Sequence, residues 1–261
     1  MRYITSRDNQ YIRQACKLKM AKYRNKEQVF LVEGYRLFQE LLKRKDLIIR
    51  VFINDNSEEK YRDLIVEQGI EGYLVSNNVF RHLSDTLHPQ GVIAVAKKPE
   101  WNPNALFNRP GFFILLDRIS DPGNMGTIIR TSWAFGVDGV LITDECVDPF
   151  NPKVVRAAMG GIFHLPVINI SVEDLEILKN RWQLMCATID GTDCLYSSDF
   201  TGNCLVVIGS EAKGVSEQIR KYCQKTFKIP MNPEVDSLNA AVAGALVISE
   251  AYRQRKPGFL S

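Results

Sequence analysis

The run Phe112-Phe113-Ile114-Leu115-Leu116 places five large apolar side chains in succession. A strand with one face in water alternates apolar and polar residues. An unbroken run instead marks a strand covered on both faces, as in a parallel sheet between helices. Gly139-Val140-Leu141-Ile142, Leu184 to Ile189 and Leu205-Val206-Val207-Ile208 repeat the signature. A Gly-containing turn and a helix over about 125–135, closed by Gly136, lie between the first two strands. A helix from Leu238 to about Arg253 ends the pattern. The expected fold class is α/β with a parallel sheet.

Upstream, shorter elements alternate. An imperfect apolar stripe, Ile12, Ala15, Cys16, Leu18 and Met20, predicts a helix over 9–22. Val29 to Val32, Ile48 to Ile53, Tyr73 to Val75 and Gly91 to Ala96 read as strands. Gly34 opens a helix between the first two, and Ser57 is placed to cap another. A second, smaller α/β domain is therefore expected over 1–98. Lys97 to Asn104 holds two prolines, two asparagines and no periodicity, and Pro110-Gly111 follows. The linker is placed at 99–109 and the larger domain at 110–261.

Apolar residues make up 45% of the chain and charged residues 24%, the balance of a protein with a core. No apolar run approaches the ~18 residues that span a bilayer. The first residues lack the apolar stretch of a secretory signal, so no membrane association and a cytoplasmic location are expected. Cysteines 16, 146, 186, 194, 204 and 223 form no CxxC pair and suit reduced thiols. His82, His88 and His164 are too separated for a histidine metal site. The first 26 residues hold eight basic side chains against Asp8 alone, a larger excess than the +3 of the whole chain. That segment, with Tyr3, Tyr11 and Tyr23, reads either as a nucleic-acid surface or as a solvated helix face.

Three strand-to-loop segments stand out, since ligands bind at strand ends of a parallel sheet. In Leu116 to Thr131, Pro122-Gly123 forces a turn, Asn124 can cap a helix, and Arg130 follows six residues later. Spacing alone leaves Arg130 as a groove residue or a surface ion pair. In Val207 to Ser216, Gly209 permits close approach of a ligand, and Glu211 can favour the start of a helix near 215. It lacks the Gly-Lys-Ser/Thr ending of a P-loop, and no strand is followed by GxGxxG, which argues against an oxidoreductase. In Ile229 to Ala243, two prolines stiffen a loop and Ser237 is placed to cap a slim, Ala-rich helix.

Together these segments resemble the SpoU (TrmH-like) RNA ribose 2′-O-methyltransferases of the SPOUT superfamily, over about 112–253. Phe30-Leu31-Val32-Glu33-Gly34 and Pro89-Gln90-Gly91-Val92-Ile93-Ala94 resemble the small RNA substrate-binding domain often attached to them. The resemblance implies a knotted methyltransferase domain, a homodimer and S-adenosylmethionine as cofactor. It places the cofactor on Gly209, Ile229 and Leu238, with Met231 and Thr188 nearby. Arg130, Asn124, Glu211, Ser237 and Asn239 become the catalytic set. Arg130 faces the RNA, Glu211 fixes the loop, and the others orient ribose and phosphate. A sulfonium leaving group requires no metal. The basic segment, through Arg13, Lys17, Lys19 and Lys22, becomes an RNA contact. Ala212, Asn232-Pro233 and Ala241 depart from the common motifs without removing a reacting group. Structured RNA, ribosomal in preference to transfer RNA, is the implied substrate. The alternatives are a tRNA enzyme or a non-catalytic RNA-binding protein of the same fold.

Overall fold

The computed structural model describes residues 1–256. They form two compact units: Met1–Glu100 with Phe150–Phe163, and Trp101–Pro149 with the chain from His164 onward. The first unit holds β1 (Arg2–Ile4), α1 (Gln10–Lys17), α2 (Ala21–Glu27), β2 (Val29–Glu33), α3 (Tyr35–Leu42), β3 (Ile48–Asn54), α4 (Glu58–Glu67), β4 (Gly72–Val75), α5 (Asn77–Leu83) and β5 (Val92–Lys97). Its sheet runs β1-β4-β3-β5-β2. β1, β4 and β3 are parallel, while β5 is antiparallel to β3 and β2.

The single helix expected over 9–22 is two helices. Buried Arg24 explains the break: its Nη1 donates to the carbonyls of Leu18 and Lys19, each at 2.8 Å. Those are helix-end carbonyls that would otherwise lack partners. Gly34 precedes α3 at φ +107°, a conformation that favours glycine. Buried Glu33 accepts from Ser84 Oγ, from Thr86 Oγ1 at 2.7 Å and from Asp85 N at 2.9 Å.

The rest of the chain forms α6 (Pro103–Phe107), β6 (Phe112–Asp117), α7 (Pro122–Ala134), β7 (Gly139–Ile142), α8 (Pro152–Ala158), α9 (Gly161–His164), β8 (Val167–Asn169), α10 (Val172–Leu178), β9 (Gln183–Ala187), β10 (Asp193–Cys194), β11 (Cys204–Gly209), α11 (Glu217–Arg220), β12 (Lys225–Lys228) and α12 (Ala240–Arg255). Seven strands, all parallel, lie in the order β10-β12-β9-β11-β6-β7-β8. Three of the four apolar runs became β6, β7 and β11, where every residue is buried save Gly209 at the end of β11, as expected for a sheet covered on both faces; the fourth, expected over 184–189, is β9, which ends at Ala187 and leaves Ile189 exposed. One segment is not contiguous with its unit. Residues 150–163 pack in the first unit, where the Phe150 ring lies 4.9 Å from that of Phe30 and Arg156 pairs with Asp85 at 3.1 Å.

Cys186 and Cys223, expected as thiols, form a disulfide; Cys16, Cys146, Cys194 and Cys204 are free. β9 and the turn after α11 bring Cα atoms 37 residues apart to 6.1 Å, a proximity that no local spacing encodes.

α12 ends in a clamp. Its Gln254 side chain donates to Ser198 O at 2.9 Å and accepts from Phe200 N at 2.8 Å. Arg255 Nη1 reaches the carbonyls of Phe200 and Gly202, each at 2.7 Å. Buried Glu250 holds this turn, accepting from Arg253 Nη2 at 2.7 Å and Gln254 Nε2 at 2.8 Å. The Arg253 hydrogen bond, against the opposing cost of burial, holds the Glu250 carboxyl below its ordinary range. A depressed carboxyl stabilises the fold above the unfolded-state value, ~4.3, and that contribution is lost as pH falls through the folded value. Glu250→Gln is therefore expected to lower Tm by about 2–4 °C at pH 7, the effect of ~1 kcal/mol in a domain of this size. Thermal melts of both proteins should converge as pH falls through the depressed value of folded Glu250, below the ordinary carboxyl range.

Candidate active site

Parallel register sets the strand ends of the second unit side by side: Gly209 pairs with Asp117, and Phe227 with Ala187. Their loops, over 188–192, 210–216 and 229–239, surround a cavity of about 440 Å³. Its apolar wall comes from Ile208, Val215, Ile229, Leu238, Ala240 and Ala243. Thr188, Asp190, Ser210, Glu217, Lys213 and Arg220 supply the polar rim. Gly209 is required here by space. A Cβ on it would stand 2.2 Å from the carbonyl carbon of Gly214, because the loop folds back on the strand end. Gly214 N donates to Ser210 O at 2.8 Å and closes that fold-back. Arg220 Nη2 donates to Asp190 Oδ2 at 2.7 Å on the rim, and this bond holds the Asp190 carboxyl below its usual range.

Beside the cavity, three segments meet on one carboxylate. Glu211 Oε1 accepts from Asn124 Nδ2, from Asn239 Nδ2 at 3.3 Å and from Ala240 N at 3.1 Å. Asn239 Nδ2 also donates to Asn124 Oδ1 at 2.9 Å. A second tie runs from Ser216 N to the buried Asp117 Oδ2 at 2.6 Å. Arg118, at φ +59°, donates from Nη2 to Gly214 O at 3.2 Å and so braces the fold-back loop from the outside.

Three capping expectations are corrected by these bonds. α7 is capped by Asp121, which accepts from Asn124 N at 2.8 Å, because Pro122 takes the first helical position. Asn124 thus lies inside the helix. α12 is capped by Asn239, not Ser237; its Oδ1 accepts from Ala241 N at 2.9 Å and Val242 N at 3.2 Å. Glu211 serves the start of α12 rather than a helix near 215, since α11 begins at Glu217 and is capped by Ser216.

Gly209, Ile229, Leu238, Met231 and Thr188 all line the cavity, as does Ser237. Asn124, Glu211 and Asn239 form the cluster just described. Arg130 stands apart from both: it is exposed on α7 and, among the described residues, has no hydrogen-bond or ion-pair partner. In the first unit, Arg13, Lys17 and Lys22 are exposed. Lys17 Nζ lies 5.5 Å from the Tyr23 ring centroid. Lys19 is held, donating to His82 O at 3.1 Å and Ser84 O at 2.9 Å. Sequence reasoning missed Asp117, Arg118, Asp190 and Arg220. Asp117 could have been found as the one charge closing an apolar run.

A cavity at the carboxyl edge of a parallel sheet is where α/β folds bind their ligands. The sequence profile of the SpoU rRNA Methylase family matches residues 111–249, and that of the MRM3-like substrate binding domain matches 9–94. The chain belongs to the SpoU rRNA methylase family. It is 31% identical over 250 residues to the Bacillus subtilis 23S rRNA (guanosine(2553)-2'-O)-methyltransferase RlmP, covering 95% of this chain and 98% of that one. AviRb from Streptomyces viridochromogenes, a SpoU methyltransferase solved in complex with AdoMet, superposes with a TM-score of 0.85 at 28% identity, over 96% of this chain and all of that one. The AdoMet-bound rRNA methyltransferase from Sinorhizobium meliloti gives 0.84 at 26%, over 100% and 99%.

Glu211→Ala removes the shared acceptor and leaves the Ala240 N–H to water. Amide hydrogen exchange at Ala240 is expected to rise about tenfold, near the net worth of one such bond, while Glu211→Gln keeps most of the protection.

Proposed function

We propose that this protein transfers a methyl group from S-adenosylmethionine to a ribose 2′-hydroxyl of ribosomal RNA. The observation that carries the reading is the cavity formed by Gly209, Ile229 and Leu238 at adjoining strand ends. The residues present fit that cofactor. The apolar wall suits an adenine ring, and the space at Gly209 is one a Cβ would fill. On the rim Glu217 complements a sulfonium or an ammonium and Lys213 a carboxylate, while Asp190 and Arg220 are paired with each other. Family membership and the RlmP likeness favour ribosomal RNA.

Bound adenosylmethionine supplies an electrophilic methyl on a good leaving group, so the demand on the protein lies with the nucleophile. A neutral ribose hydroxyl is a poor one. Arg130 answers that demand as a permanent cation, since a guanidinium with pKa above ~12 does not act as a base. It stabilises the developing alkoxide while the hydroxyl proton passes to solvent water, and it holds a neighbouring phosphate. Asn124 and Asn239 are engaged with Glu211 and orient the RNA through their remaining donors and acceptors, while Ser237 contributes its hydroxyl at the cavity. Holding hydroxyl and methyl together contributes up to ~7–11 kcal/mol.

The larger domain, 110–261 apart from the segment 150–163 that packs in the first unit, is the methyltransferase; its last five residues lie outside the described ones. The domain over 1–98 selects the RNA, and 99–109 links the two. Arg13, Lys17 and Lys22 contact phosphates, whereas Lys19 is committed to the end of α5. The methyltransferase domain is knotted in this reading, supported by the clamp of α12 on 198–202. The enzyme is a homodimer, supported by Val242 and Leu246, four residues apart on α12 and 48% and 37% exposed. Its place is the cytoplasm, with its RNA.

Arg130→Ala should lower kcat about 10²–10³-fold, the usual cost of losing one transition-state donor, and leave adenosylmethionine affinity nearly unchanged by calorimetry. Near-wild-type turnover by that variant sinks the role given to Arg130. Leu246→Asp is expected to shift the sedimentation coefficient from dimer to monomer at micromolar concentration.

A further inference from the structure

A second cavity, of about 130 Å³, opens in the first unit. Its floor is apolar, from Ala15 on α1, Val29 on β2, Ile49 on β3 and Val95 on β5. One wall is formed by Tyr11 and Arg50, with the buried Tyr73 ring behind Tyr11 at a tilt of 42°. The Arg50 guanidinium lies 4.3 Å from the Tyr11 ring centroid, and the Tyr11 ring lies 4.9 Å from that of Tyr73. Glu71 holds Arg50 and Tyr73, 4.0 Å from the first and hydrogen-bonded by the hydroxyl of the second. The mouth carries the exposed Gln14 and Glu27. Among the described residues neither side chain has a hydrogen-bond or ion-pair partner. Arg13, Lys17 and Lys22 are exposed on the same two helices.

These features select an occupant. The volume is several times the ~30 Å³ share of a liquid water, enough for a heterocycle but not for its sugar and phosphate. A tyrosine ring and a guanidinium lining the same apolar cavity suit a planar aromatic ring. Glu27 repels phosphate and accepts from amines, so the ring that enters offers an exocyclic N–H. Gln14 presents both a donor and an acceptor beside it. RNA is read through unpaired bases stacked on aromatic and guanidinium planes and bonded at their edges. We infer that this cavity receives one unpaired, amine-bearing nucleobase of the RNA, with the flanking phosphates on Arg13, Lys17 and Lys22. It is a recognition subsite, and it rests on the proposed RNA substrate.

Fluorescence anisotropy with the full chain and RNA decamers at fixed salt tests it. Oligocytidylate is expected to bind about tenfold more tightly than oligouridylate, within the range of one base-edge contact. Glu27→Gln, at an exposed position that does not threaten folding, abolishes that preference and leaves the salt slope unchanged. Ile49→Phe fills the cavity and weakens oligocytidylate about tenfold, again with an unchanged slope. Cytidine monophosphate competes only at about a hundredfold or more above the decamer. Equal affinity for the two decamers, or a preference that survives Glu27→Gln, overturns the subsite. Competition by the free nucleotide at the decamer's own concentration overturns RNA as its occupant. If adenosylmethionine binding and ribosomal RNA methylation persist in either case, the proposed function stands and the subsite alone falls.

Discussion

The carboxylate of Glu211 is the contact on which the larger unit's site depends. It gathers Asn124 from the start of α7, Asn239 from the loop after β12, and the first free N–H of α12. Three loops that leave three different strands have no covalent reason to stay together. Each tolerates many conformations alone, and a ligand cavity among them keeps its shape only if something cross-links them. A charge at a helix N-terminus does this well, because the helix dipole and the orphan N–H groups both favour an anion. Asp117 repeats the device at the other side, accepting from Ser216 N beneath the fold-back loop.

That arrangement separates two kinds of legibility. The strands were readable because continuous apolar runs have few other uses, and β6, β7 and β11 appear where the runs lie. The site's members were readable as segments, yet the bonds inside them were not. Asp121 and Asn124 are both competent caps three residues apart, and Pro122 at the first helical position decides between them. Ser237 and Asn239 pose the same problem, settled by which side chain reaches two amides of α12. The Cys186–Cys223 bond and the packing of 150–163 in the first unit are long-range results, invisible to any local pattern. Lys19 reads as one more cation in a basic segment until its ammonium is seen to bond two carbonyls near the end of α5.

The same distinction orders the chemistry. Asn124, Asn239 and Glu211 spend most of their hydrogen-bonding capacity on each other, so their first contribution is to hold shape. Arg130 spends none of its own among the described residues. Keeping it unpaired makes sense where an anion arrives with the substrate. An ion pair within the chain would have to be broken before an alkoxide or phosphate could be met, and that cost would be charged to every turnover. The exposure that makes Arg130 look inert in the isolated chain is what the transition-state role proposed for it requires.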